Sequence, residues 1–148
     1  MLLKLCRKAD GAALPSSPAA AETILGFFKD TGMKPSDFDL IATGDLGVIG
    51  SQLLLELLDK EGLNIRNQHT DCGKLIYDMK AQNTPNGASG CGCSGAVLTT
   101  AFLKPLSEGS LKNILFVPTG ALMSPVTVFQ KESIPAIAHL VWLSHERS

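Results

Sequence analysis

The residues best suited to chemistry lie in one glycine-rich stretch, residues 86–96, which reads Asn-Gly-Ala-Ser-Gly-Cys-Gly-Cys-Ser-Gly-Ala. Its glycines allow positive φ angles and the close approach of a neighbouring segment. Two thiols, Cys91 and Cys93, stand at the N-terminus of a predicted helix, where free N–H groups and the helix dipole stabilise a thiolate or an anion such as a carboxylate. The stretch therefore predicts either a nucleophile or an anion-binding loop.

The helix after this loop is predicted for residues 93–106, and it carries no charged residue as far as Leu103. Its residues are small or apolar around the whole circumference, which is typical of a helix that is buried on all sides. We therefore expect this helix in the middle of the protein, with its first turn at the functional site.

A second candidate is Asp45, which follows a predicted buried strand at residues 39–43 and precedes a predicted helix at residues 48–61. Open α/β sheets place their ligand sites at the carboxyl ends of strands, so Asp45 is a candidate ligand-binding residue. Asp is favoured just as strongly as a helix N-cap, and both roles stay open. The predicted ligand-binding set joins Asp45 to the loop residues Ser89, Gly90, Cys91, Gly92 and Cys93.

A purely structural role is the alternative to chemistry for the two loop thiols. The C-x-C spacing of Cys91 and Cys93 lacks a second pair of Cys or His at ligand distance, so we predict no metal site. A nucleophilic thiolate needs a base within reach, and the sequence places none of the histidines nearby (His69, His139, His145). Small residues that let the loop and helix pack closely are the favoured interpretation.

Composition narrows the class of protein. The 148 residues suffice for one domain with a real core. A formal net charge of −1 and a pI near 6.3 argue against a nucleic-acid partner. No apolar run is long enough for a membrane-spanning helix, and the first residues do not resemble a signal peptide. We expect a cytoplasmic protein without metal or cofactor.

The remaining segments complete an α/β pattern. Residues 1–17 are predicted to be irregular, and Ser17 is the predicted N-cap of a helix at residues 18–29. The most clearly predicted strand is residues 112–117. Other predictions are an extended segment at 74–77, a loop at 118–125, a short strand at 126–129, a last strand at 134–142, and Asp71 and Asp78 as turn and surface residues. The order of elements predicts an α/β fold with a mixed sheet.

Longer motifs point to one family. Residues 37–47, 71–78, 89–94 and 116–125, continued by 132–139, resemble the stage V sporulation protein AD family in the expected order. The resemblance implies a thiolase-like fold of two similar halves, each with a mixed sheet, helices on both faces and one buried central helix. Residues 18–148 resemble the C-terminal half.

The resemblance also implies a function. The family binds dipicolinic acid and helps to move it, with calcium, into the developing spore. The implied partners are dipicolinic acid and other stage V sporulation A proteins at the membrane. The implied location is the forespore, peripheral at the inner spore membrane.

Related acyl-transferring enzymes of the wider superfamily carry a His after the first strand and an Asn in the Gly/Ser loop. Here those places hold residues 43–46 and 89–93, without His or Asn, so the resemblance implies binding without catalysis. A degenerate or split acyltransferase that uses Cys91 or Cys93 is one alternative, and a purely structural assembly module is another.

A single half-fold has one sheet for a helix that is apolar all round. The apolar surface left uncovered should exceed the few hundred Å² that monomers usually expose. We therefore predict a protein partner, either the missing N-terminal half or a second copy.

Overall fold

Helices and strands alternate along most of the chain, as an α/β fold requires. The computed structural model describes residues 13–122, 124–130 and 134–145. A 3₁₀ turn, Pro35–Asp37, precedes the first strand. The helices are α1 Ala13–Thr31, α2 Gly47–Lys60, α3 Cys72–Leu75, α4 Cys93–Val97, α5 Leu103–Ser107 and α6 Pro125–Phe129, and the strands are β1 Leu40–Thr43, β2 His69–Asp71, β3 Asn113–Val117, β4 Thr119–Ala121, β5 Ala136–Ala138 and β6 Val141–Ser144.

The main sheet has the strand order β2-β1-β3-β6. Strands β2, β1 and β3 are parallel, and β6 runs antiparallel to β3. Strands β4 and β5 form a separate antiparallel pair. The predicted α/β class with a mixed sheet is therefore confirmed. Because the three parallel strands end at the same edge, the loops that follow them meet there.

Each face of the sheet packs against its own hydrophobic cluster. Alternate residues of a strand point to opposite faces. Ile41 and Leu115 pack with α1 and α2 on one face, whereas Ala42 and Phe116 pack with the helical segment 93–107 on the other. Helices therefore cover both faces, as the family resemblance implies.

The predicted start of the first helix is wrong. Helix α1 begins at Ala13 and contains Pro18, so the described part of residues 1–17 is helical and not irregular. Residues 1–12 lie outside the described part of the chain. Ser17 is fully buried and its Oγ donates to Gly50 O at 2.9 Å. Contact with α2 gives Ser17 a tertiary role instead of the predicted N-cap role.

The segment after the glycine-rich loop is helical over the predicted length, but it is not buried on all sides. It consists of α4, a π-helical turn at Leu98–Phe102 and α5. One side is buried, by Cys93, Val97, Phe102 and Leu106. The opposite side is exposed and carries Gly95, Ala96, Thr99, Thr100, Ala101 and Leu103. The reason is that the main sheet covers the buried side, whereas no element among the described residues covers the opposite side.

Other predictions of local structure also need correction. The expected extended segment at 74–77 lies partly in helix α3, and the expected strand at 126–129 lies in helix α6, which has Pro125 at its first position. The predicted last strand divides into β5 and β6, which belong to different sheets. Strands β2 and β4 were not predicted because each has only three residues. None of the described helices meets the length and hydropathy needed to cross a membrane.

Candidate functional site

Asp45 connects three loops at the carboxyl edge of the sheet. Its Oδ1 accepts a hydrogen bond from Thr119 Oγ1 at 2.9 Å. Its Oδ2 accepts from Ser89 Oγ and from Gly90 N, both at 2.9 Å. The structure thus brings together three of the predicted residues, Asp45, Ser89 and Gly90. Thr119 joins them from the start of β4, which the sequence predicted as plain loop.

A second carboxylate, Asp71, lies beneath this cluster and is fully buried. Its two carboxylate oxygens accept four hydrogen bonds. The prediction that Asp71 is a turn or surface residue is therefore wrong. The donors are Thr43 Oγ1 at 2.6 Å, Leu46 N at 3.0 Å, Gly47 N at 2.9 Å and Gly73 N at 3.0 Å. The residue pattern Asp-x-Gly at the start of α3 was the available signal, since an Asp N-cap accepts from an N–H two or three residues later.

The N-terminus of α2 is closed to a ligand. Asp71 accepts from the N–H groups of Leu46 and Gly47, and Asn86 accepts from the next two. Asn86 O receives Val48 N at 3.1 Å, and Asn86 Oδ1 receives Ile49 N at 3.0 Å. Asp71 and Asn86 thus cap α2, and Asp45 does not have the N-cap role that the sequence left open. The helix dipole of α2 acts on these two residues instead of on a bound anion.

Burial governs the proton affinity of Asp71. Desolvation raises the pKa of its carboxyl group above the ordinary value, while hydrogen bonds from Thr43, Gly47 and Leu46 and the charge of Lys74 lower it in part. The donors compensate a carboxylate that has no contact with water. The charge of this group consequently depends on the loop that surrounds it.

The two buried thiols, Cys72 and Cys93, are not activated. Cys93 is buried, and its Sγ lies 3.8 Å from Gly44 O, to which it donates. Burial raises the pKa of the Cys93 thiol to about 11, with the charges of Asp45 and Asp71 acting in the same direction. Burial likewise raises the pKa of Cys72 to about 12. Both thiols are protonated at neutral pH, so neither is a ready nucleophile.

Two predicted residues stand apart from the cluster. Cys91 and Gly92 are exposed, and neither forms a hydrogen bond with Asp45. Within the described ranges, no group of three or more His, Cys, Asp or Glu side chains is arranged to hold a metal ion. The ligand-binding role of all six residues remains a prediction.

His69 extends the buried network at the end of β2. Its Nε2 lies 3.1 Å from Thr43 Oγ1, which itself donates to Asp71. Because the Thr43 proton is given to Asp71, we assign the Nε2–H tautomer to His69, with Thr43 as acceptor. Burial lowers the pKa of His69 to about 4, and the positive charge of Lys74 adds to this effect.

The low pKa of His69 predicts a loss of stability in acid. The unfolded chain, with an ordinary His pKa near 6.5, takes up this proton at higher pH than the folded chain does. Stability should therefore fall as the pH falls from about 6.5 to about 4, by roughly 2–3 kcal/mol between pH 7 and 4.5 from this residue. Urea unfolding at both pH values, with wild type and His69→Gln, measures the difference. His139→Gln, at an exposed position, is the control. If His69→Gln lost as much stability between pH 7 and pH 4.5 as wild type does, the assignment would be contradicted.

The fold and the site together define a class: an α/β protein with a mixed sheet and a closed polar network at the carboxyl ends of its parallel strands. The sequence model of the stage V sporulation protein AD family matches residues 7–144. The chain is 46% identical over 123 residues to Stage V sporulation protein AD of Bacillus subtilis (strain 168). That alignment covers 83% of this chain and 36% of the relative. The chain belongs to the stage V sporulation protein AD family, as its motifs predict, and spans about a third of its relative's length.

Proposed function

We propose that this chain is the non-catalytic C-terminal half of a thiolase-like sporulation protein that binds dipicolinic acid and supports its uptake into the developing spore. The proposed location is the forespore, peripheral at the inner spore membrane and beside other stage V sporulation A proteins. Membership of the family supports the role in sporulation. The ligand, the location and the absence of catalysis are the proposed parts.

One observation carries the proposal of binding without catalysis: the carboxylate of Asp45 occupies the donors of the glycine-rich loop. Acyl transfer would need such donors for a developing oxyanion. Here Gly90 N and Ser89 Oγ already donate to Asp45 Oδ2, so an oxyanion would meet a negative charge at this position. The protonated thiol of Cys93 supports the same conclusion, because acyl transfer to Cys requires a thiolate.

Mass spectrometry of the intact protein after incubation with acetyl-CoA tests the absence of catalysis. We expect no acyl adduct on Cys91 or Cys93. Iodoacetamide serves as the positive control, because exposed Cys91 should be alkylated in the folded protein while buried Cys93 is protected. A stable acyl adduct on either cysteine would support the alternative of a split acyltransferase.

Dipicolinate suits the exposed surface of the glycine-rich loop. Ser89, Gly90, Cys91 and Gly92 are all accessible to a ligand. A carboxylate brought directly against Asp45 would meet a like charge, so the proposed contact is on the outer side of the loop, at the backbone of Cys91 and Gly92. The ring nitrogen separates dipicolinate from isophthalate, which has the same two carboxylates.

Calorimetric titration tests this ligand. We expect saturable heat with dipicolinate and none with isophthalate, in the chain alone or together with the N-terminal half of a family member. Asp30→Asn, which removes an exposed negative charge on α1, should bind as wild type does. An absence of heat in both preparations would favour the structural assembly module.

The exposed side of the 93–107 segment supports the proposal of a protein partner. Its exposed residues up to Leu103 are uncharged, and the Thr99 and Thr100 hydroxyls donate to carbonyls of their own helix at 2.7–3.1 Å. This side therefore offers small apolar groups without an unsatisfied donor. We propose that the N-terminal half covers it.

Thr99→Lys tests that contact by placing a charge at its centre. Calorimetry measures the affinity for the separately produced N-terminal half. This affinity should be at least tenfold weaker in Thr99→Lys than in wild type. Gln52→Lys on α2 is the matched control, because position 52 is exposed and its neighbour Glu56 accommodates the new charge. Equal binding by both variants would place the partner elsewhere.

A further inference from the structure

The loop that caps α2 contains an asparagine followed directly by a glycine, Asn86-Gly87. In such a pair the side-chain amide is open to attack by the next backbone nitrogen, because glycine has no side chain to hinder the approach. The other asparagines of the chain precede Ile, Gln or Thr, whose side chains hinder it. Asn86 is also exposed, so water reaches its amide. Loss of this amide is therefore chemically easier at Asn86 than at the other asparagines.

The fold itself requires both members of this pair. Gly87 has a φ of +87°, and a Cβ there would collide with the carbonyl oxygen of Gly73, so a larger residue does not fit. Asn86 is needed for its two oxygens, which accept from Val48 N and Ile49 N at the start of α2. The packing of this loop thus keeps a chemically labile pair at the N-terminus of α2.

Two hydrogen bonds hold the reacting atoms apart in the folded chain. Gly87 N donates to Thr84 O at 2.9 Å, which closes a turn with Pro85 at its second position. Asn86 Oδ1 accepts from Ile49 N at 3.0 Å. For reaction, Gly87 N has to leave Thr84 and the side chain of Asn86 has to turn away from α2. Both bonds must break first, so the reaction proceeds from a locally opened state of the loop.

We propose that Asn86 is a site of spontaneous deamidation, and that attachment of its loop to α2 controls the rate. Gly87 N loses its proton to the solvent and bonds to Asn86 Cγ, while the bond from Cγ to Nδ2 breaks and the nitrogen leaves as ammonia. Water then opens the succinimide ring at either carbonyl, which gives aspartate or isoaspartate. Water is the only co-reactant, and no group is oxidised or reduced. The proposal depends neither on dipicolinate binding nor on a protein partner.

The two products differ in their effect on α2. Aspartate at position 86 keeps an acceptor for Ile49 N, and its negative charge is favourable at a helix N-terminus. In isoaspartate the main chain passes through the former side chain and gains one atom. This longer backbone displaces the oxygen that accepts from Val48 N. Isoaspartate therefore removes the cap from the first turn of α2, whereas aspartate keeps it.

Incubation of the full chain in heavy-oxygen water at mildly alkaline pH tests the site, with digestion afterwards in ordinary water so that later deamidation carries no label. Peptide mass spectrometry compares the folded chain with the chain unfolded in guanidinium chloride. We expect label at position 86 in both, at least about tenfold more slowly in the folded chain, with isoaspartate among the products. Asn83, which is exposed and precedes Thr84, is the internal control and should stay unlabelled. Equal labelling of Asn83 and Asn86 in the unfolded chain would overturn the assignment of the site.

Two alanine variants test the control by α2. A Cβ at position 47 collides with the carbonyl oxygen of Asn86, so Gly47→Ala should loosen the loop and raise the rate in the folded chain at least about fivefold. Gly62→Ala also places Ala at a positive φ but touches no atom of the loop, and it should react as slowly as wild type. Equal rates in the two variants would overturn the proposed control. If Gly47→Ala does not fold, the wild type decides: equal rates in its folded and unfolded states overturn the proposal.

Discussion

Asp71→Asn is expected to lower the free energy of unfolding by about 2–4 kcal/mol, the largest effect of any polar substitution in the described chain. The fully buried carboxylate accepts from Thr43 and from three backbone N–H groups. An amide offers one acceptor oxygen, and its NH₂ group turns hydrogens towards N–H donors that then stay unsatisfied. Urea unfolding followed by circular dichroism at pH 7 measures the loss.

Asp78→Asn is the matched control for this substitution. Asp78 accepts from the N–H groups of Lys80 and Ala81 in a turn, but it is exposed, so water replaces any contact that is lost. Its free energy of unfolding should change by less than about 0.5–1 kcal/mol. Equal losses in the two variants would show that burial of Asp71 has no special weight.

Gly47→Ala is expected to be the most damaging change of a single methyl group. Gly47 has a φ of +68°, and a Cβ there would collide with the carbonyl oxygen of Asn86. The left-handed conformation alone costs about 1–2 kcal/mol for Ala. Displacing Asn86 also removes acceptors from Val48 and Ile49, so a total of roughly 3–4 kcal/mol is expected.

Gly62→Ala separates the cost of the left-handed conformation from the cost of the collision with Asn86. Gly62 has a φ of +78°, but no atom lies within 4 Å of the position of its Cβ. Gly62→Ala should lower the free energy of unfolding only by the cost of this conformation, about 1–2 kcal/mol. If Gly47→Ala were no worse than Gly62→Ala in thermal or urea unfolding, the close packing of α2 against Asn86 would have no energetic importance.

The sequence predicted those elements whose signals are local. Strands β1 and β3 are short aliphatic runs with clear boundaries, and α2 has a continuous apolar side, so all three were placed to within one or two residues. Helix α1 was misplaced at its start because Ser17 and Pro18 imitate a helix beginning. Strand β2 was missed because His69 and Thr70 are polar and the strand is held mainly by pairing with β1.

The candidate site was predicted in part for a related reason. Asp45 and the glycine-rich loop stand out by composition, and in the structure Asp45 accepts hydrogen bonds from Ser89 and Gly90. Their role in ligand binding stays a prediction. The contacts of Asp71 and Asn86 with the start of α2 join positions 24–38 residues apart, and no local pattern encodes them. The Asp-x-Gly pattern indicated only the contact between Asp71 and Gly73. The exposure of the 93–107 segment was mispredicted. An apolar helix indicates that its surface is buried, but it does not indicate whether the same chain or another one covers that surface.

The capping of α2 from a distance has a consequence for the order of folding. Helix α2 contains no side chain that caps its own first turn, and the carboxylate that does so comes from Asp71, 24 residues beyond Gly47. During synthesis, residues 47–60 therefore emerge before their cap does. The first turn of α2 cannot be completed until β2 has joined the growing sheet, so that helix and that strand mature as a single cooperative unit.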